Sequence, residues 1–410
     1  MQLKTKLLTG IAFAVLPAMA QATDLEVTHW WTSGGESAAV AQFAKAYDAL
    51  GDGKWIDTAI AGQSNMISTV SNRILGGDPP AATQFTRGRD TEELIKAGLM
   101  LDITDVAEAE GWADVVRPKS LMDSCSYEGK VYCVPVNIHS WQWMWVSNKA
   151  FADAGLPIPK DIYELIADAP KLREAGKAPL VMGLEGWQVG GAWHVVAVDV
   201  AGPEIWTKLH TENDPELVKG PEMRKAFELF DQMRQIATDS NIIQWNDGIN
   251  KLIRGEGAAQ ILGDYAKGEF VAANQKPGED FDCILGLGIR DIMTVGGDAF
   301  YFPKNDDPKI EASQKRLAAL MMSPEAQVAF NSFKGSTPVR GDVDLNSVDE
   351  CMAKGLKVLD EGKTVLDRSD LLSPDTRNQL RDVLMEFWTD HSITVDDLIK
   401  RYAAVTAAAY

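Results

Sequence analysis

LEVTHWW, residues 25–31, alternates in part between apolar and polar side chains and runs into Gly34 and Gly35. Beyond them Val40, Phe43, Ala44 and Tyr47 recur at i, i+3, i+4 and i+7, the spacing of one helix face. The chain therefore opens with a strand, a glycine turn and a helix over residues 36–50. A second strand is expected near residues 55–60, and a helix over 66–75 that stops at GGDPP. A third strand follows at AATQF (81–85) and a helix at TEELIKAG (91–98). Strand, helix, strand, helix is the pattern of an open α/β sheet.

The middle of the chain turns helical: NKAFADAG, DIYELIADAPKLREAG and PEMRKAFELFDQMRQIA each carry apolar residues at helical period. Before them NIHSWQWMWVSN places Trp141, Trp143 and Trp145 at alternate positions, on one face of a strand that reads as core. Residues 258–262 and 298–302 read as strands again, and from residue 310 onward the pattern is mostly helical. With 410 residues the chain exceeds one hydrophobic core, so two domains are expected. No internal repeat and no Pro-, Gly- or Ser-rich linker separates them, which points to lobes joined by several crossings.

The first residues read as a secretory signal: Lys4 and Lys6, the apolar stretch LLTGIAFAVLPAMA, then small residues suited to cleavage after Ala20 or Ala22. That stretch is shorter than the roughly 20 apolar residues a membrane span needs. Loss of the two lysines takes the formal charge from −19 to −21, a surface that repels nucleic acid. In CSYEGKVYC, Cys125 and Cys133 stand symmetrically about Gly129, so a hairpin turning there would oppose them for a disulfide in an oxidising compartment. Cys283 and Cys351 pair by elimination, one of three connectivities. No C-x-x-C spacing supports a zinc site in their place.

No Walker loop, G-x-S-x-G, G-x-G-x-x-G or H-E-x-x-H is present. Trp30 and Trp31 cannot both enter one core from a strand, and Glu36 follows at the opening of a helix. A flat ring covers the apolar face of a sugar, and a carboxylate accepts from neighbouring hydroxyls. In an open parallel sheet such groups gather beyond the carboxyl ends of the strands. Glu36 and Asp298 could instead serve as the paired carboxylates of a secreted glycoside hydrolase.

EVTHWWTSGGE resembles the mature N-terminus of the bacterial solute-binding proteins that serve ABC sugar importers, closest to their glucose- or aldose-binding branch. PVNIH (135–139), the aromatic strand after it, GDYAKGEF (263–270) and KGSTPVR (334–340) resemble that branch in the same order. The resemblance implies an α/β fold of periplasmic-binding-protein type II, a Venus flytrap with several hinge crossings. Residues 23–137 with 298–345 would form one lobe, and 138–297 with 346–410 the other, behind a signal peptide of residues 1–22. It implies a periplasmic monomer without enzymatic activity or cofactor, delivering a monosaccharide or short oligosaccharide to membrane permease subunits. By position, Trp30, Trp31, Glu36, Gln84, Asp298 and Lys334 match the family's sugar contacts. Tyr265 stands where the family has a tryptophan. Thr86 stands where the family has a Lys or His and is followed by Arg87, and Arg368 falls at the place of a C-terminal histidine. Arg87 and Arg368 raise the alternative of an acidic sugar, since guanidinium matches carboxylates and phosphates; they could equally neutralise Glu36 and Asp298.

Overall fold

Leu25–His29, Trp55–Ala59 and Ala82–Thr86 are strands, with helices Gly34–Ala49 and Gln63–Leu75 between them. The computed structural model describes residues 23–409 apart from residues 52, 238–241 and 344–347. The signal-like residues 1–22 lie outside the described residues, as does the expected return between lobes at 345–346. Leu25–His29 lies between the other two strands and runs parallel to both. Asp298–Tyr301 adds antiparallel to Ala82–Thr86, and Cys133–Pro135 closes the five-stranded sheet.

A second, four-stranded sheet has the order Phe281–Leu285, Trp143–Ser147, Gly257–Ile261, Ala178–Leu180. Each sheet has its own core. Val27, Phe43, Phe300 and Phe330 anchor the first; Met144, Trp193, Phe227 and Phe387 anchor the second. The molecule is thus two α/β lobes. Residues 136–142 lead from the first sheet to the second, and the chain returns through residues 294–297. These passages are zipped together: His139 and Gly296 exchange backbone hydrogen bonds of 3.0 and 2.9 Å, and the Ile138 N–H donates to the Thr337 carbonyl at 2.8 Å.

Gly34 and Gly35 are not a turn. Ser33 caps the helix two residues earlier than the sequence suggested, its hydroxyl accepting the Glu36 N–H. Gly35 is required for another reason: a Cβ there would sit 2.8 Å from the Gly268 carbonyl carbon of the other lobe. The tryptophan strand also begins later than expected. Trp143 and Trp145 share a face, with ring centroids 5.8 Å apart, and are buried as predicted. Trp141 stands outside, because a tight turn bonds the Trp143 N–H to the Trp141 carbonyl at 2.7 Å.

The cysteine hairpin is present: Ser126–Tyr127 pairs antiparallel with Lys130–Val131. Glu128 and Gly129 between them have φ of 49° and 78°, as a type I′ turn demands. Cys125–Cys133 and Cys283–Cys351 are both disulfides. The helix Gly186–Ala201 was not legible from periodicity, because 13 of its 16 residues are buried and no polar stripe remains. No helix among the described residues is long and apolar enough to cross a membrane.

Candidate ligand-binding site

The two lobes enclose a cavity of about 410 Å³, inside the range of roughly 300–1,000 Å³ usual for small-molecule sites. From the first sheet, Trp30 follows Leu25–His29, Thr86 ends Ala82–Thr86, and Glu36 lies in the first helical turn. Asp298 begins an antiparallel strand and pairs with Thr86, so it lies at the same end of the sheet. From the second sheet, Trp141 precedes Trp143–Ser147, Tyr265 follows Gly257–Ile261, and Glu185 and Trp187 come after Ala178–Leu180. The site therefore sits beyond the carboxyl ends of the parallel strands in both lobes, at the point where the first sheet's strand order reverses. A short ribbon, Met293–Val295 beside Thr364–Leu366, leads Gly296, Gly297, Asp367 and Ser369 to its floor.

The polar groups are ordered by one another. Lys334, the last residue of helix Pro324–Lys334, places its ammonium 3.1 Å from Glu36 Oε1; the two side chains are 2% and 9% exposed. Its Nζ also lies 4.9 Å from the centre of the Tyr265 ring. Asp298 Oδ2 meets Asn137 Nδ2 at 3.1 Å and His139 Nε2 at 3.0 Å, while His139 Nδ1 bonds Asp264. Burial disfavours the Asp298 carboxylate, but the His139 hydrogen bond and charge, with Lys334 and Asn137, prevail and hold its pKa down to about 2. Burial likewise opposes the His139 imidazolium, yet Asp264, with its charge and hydrogen bond, raises the His139 pKa above the usual 6.5.

The aromatic lining converges on Tyr265. Its ring centroid is 6.0 Å from Trp141, 6.4 Å from Trp187 and 5.3 Å from Trp245, the first and last edge-on. Trp187 Nε1 donates to Glu185 Oε2 at 2.9 Å, which pairs ring and carboxylate side by side.

A family model for bacterial extracellular solute-binding proteins matches residues 30–328. The chain belongs to this family. Its relatives include a probable sugar-binding periplasmic protein of Rhizobium meliloti (strain 1021), 34% identical over 361 residues that span 87% of this chain and 86% of that one. A protein of the same description from Brucella suis biovar 1 (strain 1330) is 32% identical over 424 residues, 99% of each chain. Among solved structures, a chitin oligosaccharide binding protein shares the fold at a TM-score of 0.79 and 18% identity, covering 95% of this chain and 99% of that one.

Within this solute-binding fold the residues expected at the ligand separate into two groups. Trp30, Glu36, Tyr265, Asp298 and Lys334 line the cavity. Trp31 also reaches the lining, but it is 1% exposed and packs mainly into the first core against Phe300 and Phe330, with centroids 5.7 and 5.1 Å away. Gln84, Arg87 and Arg368 do not line it. Gln84 is buried and accepts the Trp30 N–H through Oε1 at 3.0 Å, so it positions the backbone of that tryptophan. Arg87 is buried against the Ser124 hydroxyl and the Val295 carbonyl. Arg368 turns behind the aromatic wall, donating to the Trp187 carbonyl at 3.3 Å with its guanidinium 5.3 Å from the Trp141 ring centre. Burial lowers the Arg368 pKa to about 10, which leaves it cationic. Asp367, the N-cap of helix Arg368–Leu371, and Ser369 line the cavity, whereas Arg368 between them does not.

Sequence reasoning missed Trp187 and Trp245 and assigned Trp141 to the core. One signal was available. Glu185-Gly186-Trp187 repeats the acid, glycine and tryptophan composition of residues 30–36.

Proposed function

We propose that this chain is a periplasmic receptor that binds a neutral sugar and delivers it to the permease subunits of an ABC importer. The observation that carries the reading is a cavity at the strand ends of both lobes, walled by tryptophans and by carboxylates already fixed as acceptors. Trp30 on one side and Trp141, Trp187 and Trp245 on the other can cover the apolar faces of a sugar ring. Glu36 and Asp298, each ordered by a cation, can accept from its hydroxyls. The family and the relatives described as sugar-binding periplasmic proteins support the same reading. The lobes that close on the sugar are residues 23–137 with 298–345 and residues 138–297 with 346–410, acting as a monomer exported behind the signal of residues 1–22.

The lining charges favour a neutral ligand over an acidic one. Glu36, Glu185, Asp247, Asp298 and Asp367 face the cavity against only Lys334 and His139, and the two arginines that suggested an anion lie behind its walls. Hydrolysis by Glu36 and Asp298 is disfavoured for a separate reason. A general acid needs a raised pKa, whereas Asp298 is held near 2 and Glu36 is paired with Lys334.

A thermal-shift screen over hexoses, disaccharides and acidic sugars tests the reading. A neutral aldose or short oligosaccharide should raise the melting temperature, because a ligand of the folded state alone stabilises it by RT ln(1 + [L]/Kd). A screen in which only acidic sugars shift it, or none does, counts against this function.

A further inference from the structure

His139 lines the cavity, yet both its ring nitrogens are already engaged by carboxylates of the chain itself. Its backbone is locked into the crossing between lobes by the paired bonds to Gly296. Its ring joins two carboxylates of different lobes: Asp298 begins a strand of the first sheet, and Asp264 follows a strand of the second. The facing groups are Asp264 and Asp298, the Lys334 ammonium, the Asn137 amide and the Tyr265 ring, 5.3 Å away and edge-on. Among the described residues that line the cavity it is the one histidine.

We propose that His139 is a positioning residue of the sugar site: as an imidazolium it ties Asp298 of one lobe to Asp264 of the other, and so holds Asp298 in place for a sugar hydroxyl. The inference rests on the sugar-receptor reading.

The amide of Asn137 sets the argument. Its Oδ1 accepts the Asp298 N–H at 2.8 Å, so Nδ2 must be the atom that faces Asp298 and His139. Two donors, Asn137 Nδ2 and His139 Nε2–H, then converge on Asp298 Oδ2, which leaves Oδ1 to accept from a ligand. A neutral imidazole has one N–H and can serve only one of the two carboxylates. If it keeps the proton on Nδ1 for Asp264, its Nε2 lone pair lies 2.9 Å from Asn137 Nδ2 and competes for that donor. Asp298 would lose one donor outright and share the other, and both carboxylates would keep their charge beside a neutral ring. The bridge is present below the folded-state pKa of His139, which Asp264 raises above 6.5, and is lost as pH rises through it.

The expected behaviour is a sugar affinity that is level in mild acid and falls roughly tenfold or more at alkaline pH, the scale of one hydrogen bond to a charged group. Two variants separate positioning from mere folding. His139→Gln should bind more weakly at pH 6 and show no further loss up to pH 9. Asp264→Asn should move the fall to lower pH. Calorimetric affinities of the two variants and the parent from pH 5 to 9.5, with circular dichroism to confirm folding, read both effects. Imidazole ¹⁵N shifts of the ligand-free parent and Asp264→Asn proteins report the bridge without any sugar. A parent affinity flat across this range, the same pH profile in His139→Gln, or a neutral His139 ring at pH 6 overturns the proposal. If no sugar binds at any pH the receptor reading fails by itself. The ¹⁵N titration then decides the bridge alone: its midpoint must lie above 6.5 in the parent and lower in Asp264→Asn.

Discussion

Adjacent Trp30 and Trp31 should fail in opposite ways when truncated. Trp31 is 1% exposed, between Phe300 and Phe330, so Trp31→Ala opens a cavity in the first core. Such truncations cost about 3–5 kcal/mol. At roughly 2–4 °C per kcal/mol for units of 150–250 residues, the ligand-free melting temperature should fall by about 6–20 °C. Trp30 is half-buried and lines the cavity, and its backbone N–H stays bonded to Gln84 in any variant. Trp30→Ala should therefore melt within a few degrees of the parent, yet lose about 1–3 kcal/mol of sugar affinity, a factor of roughly 5 to 150. Scanning calorimetry of the ligand-free proteins and titration calorimetry at 25 °C give the two readouts. The reasoning is refuted if Trp31→Ala melts with the parent, or if Trp30→Ala binds sugar unchanged.

Glu36→Gln or Lys334→Met alone leaves a buried charge unpaired and should cost about 3–5 kcal/mol of stability, with the double variant recovering part of it; additive urea-unfolding energies would contradict the pairing. Arg368→Gln should change affinity for a neutral and an acidic hexose alike, since Arg368 supports Trp187 and Trp141 from behind; selective loss of the acidic sugar would place this arginine at the ligand. Cys283→Ser with Cys351→Ser removes a link between residues 68 apart and should cost about 4 kcal/mol if loop entropy dominates. A denaturation midpoint unchanged from the parent under non-reducing conditions would refute that.

What the sequence disclosed was whatever is local. The strand within residues 25–31, the body of the helix after it (though not its start at Gly34) and the Cys125–Cys133 hairpin follow from spacing within a dozen residues. The site was half legible on the same terms: Trp30 and Glu36 belong to one strand end and one helix turn. Trp141, Trp187 and Trp245 lie on three separate segments and converge on Tyr265, with Trp141 and Trp187 also in direct ring contact at 5.9 Å, so no spacing announces them. Position in the chain does not fix side-chain direction: Arg368 stands between two lining residues, Asp367 and Ser369, yet turns to the Trp187 carbonyl and the Trp141 ring instead. The helix of residues 186–201 stayed hidden because burial on nearly every face erases the polar stripe by which helices are read.

Titration calorimetry of protein freed of bound ligand by unfolding and refolding tests the central claim most directly. A neutral aldose or short oligosaccharide should bind one to one, with glucuronate at least tenfold weaker and no sugar consumed during the titration. Refolded protein that takes up no neutral sugar, prefers the acidic one, or steadily releases heat as it cleaves a glycoside would contradict the account.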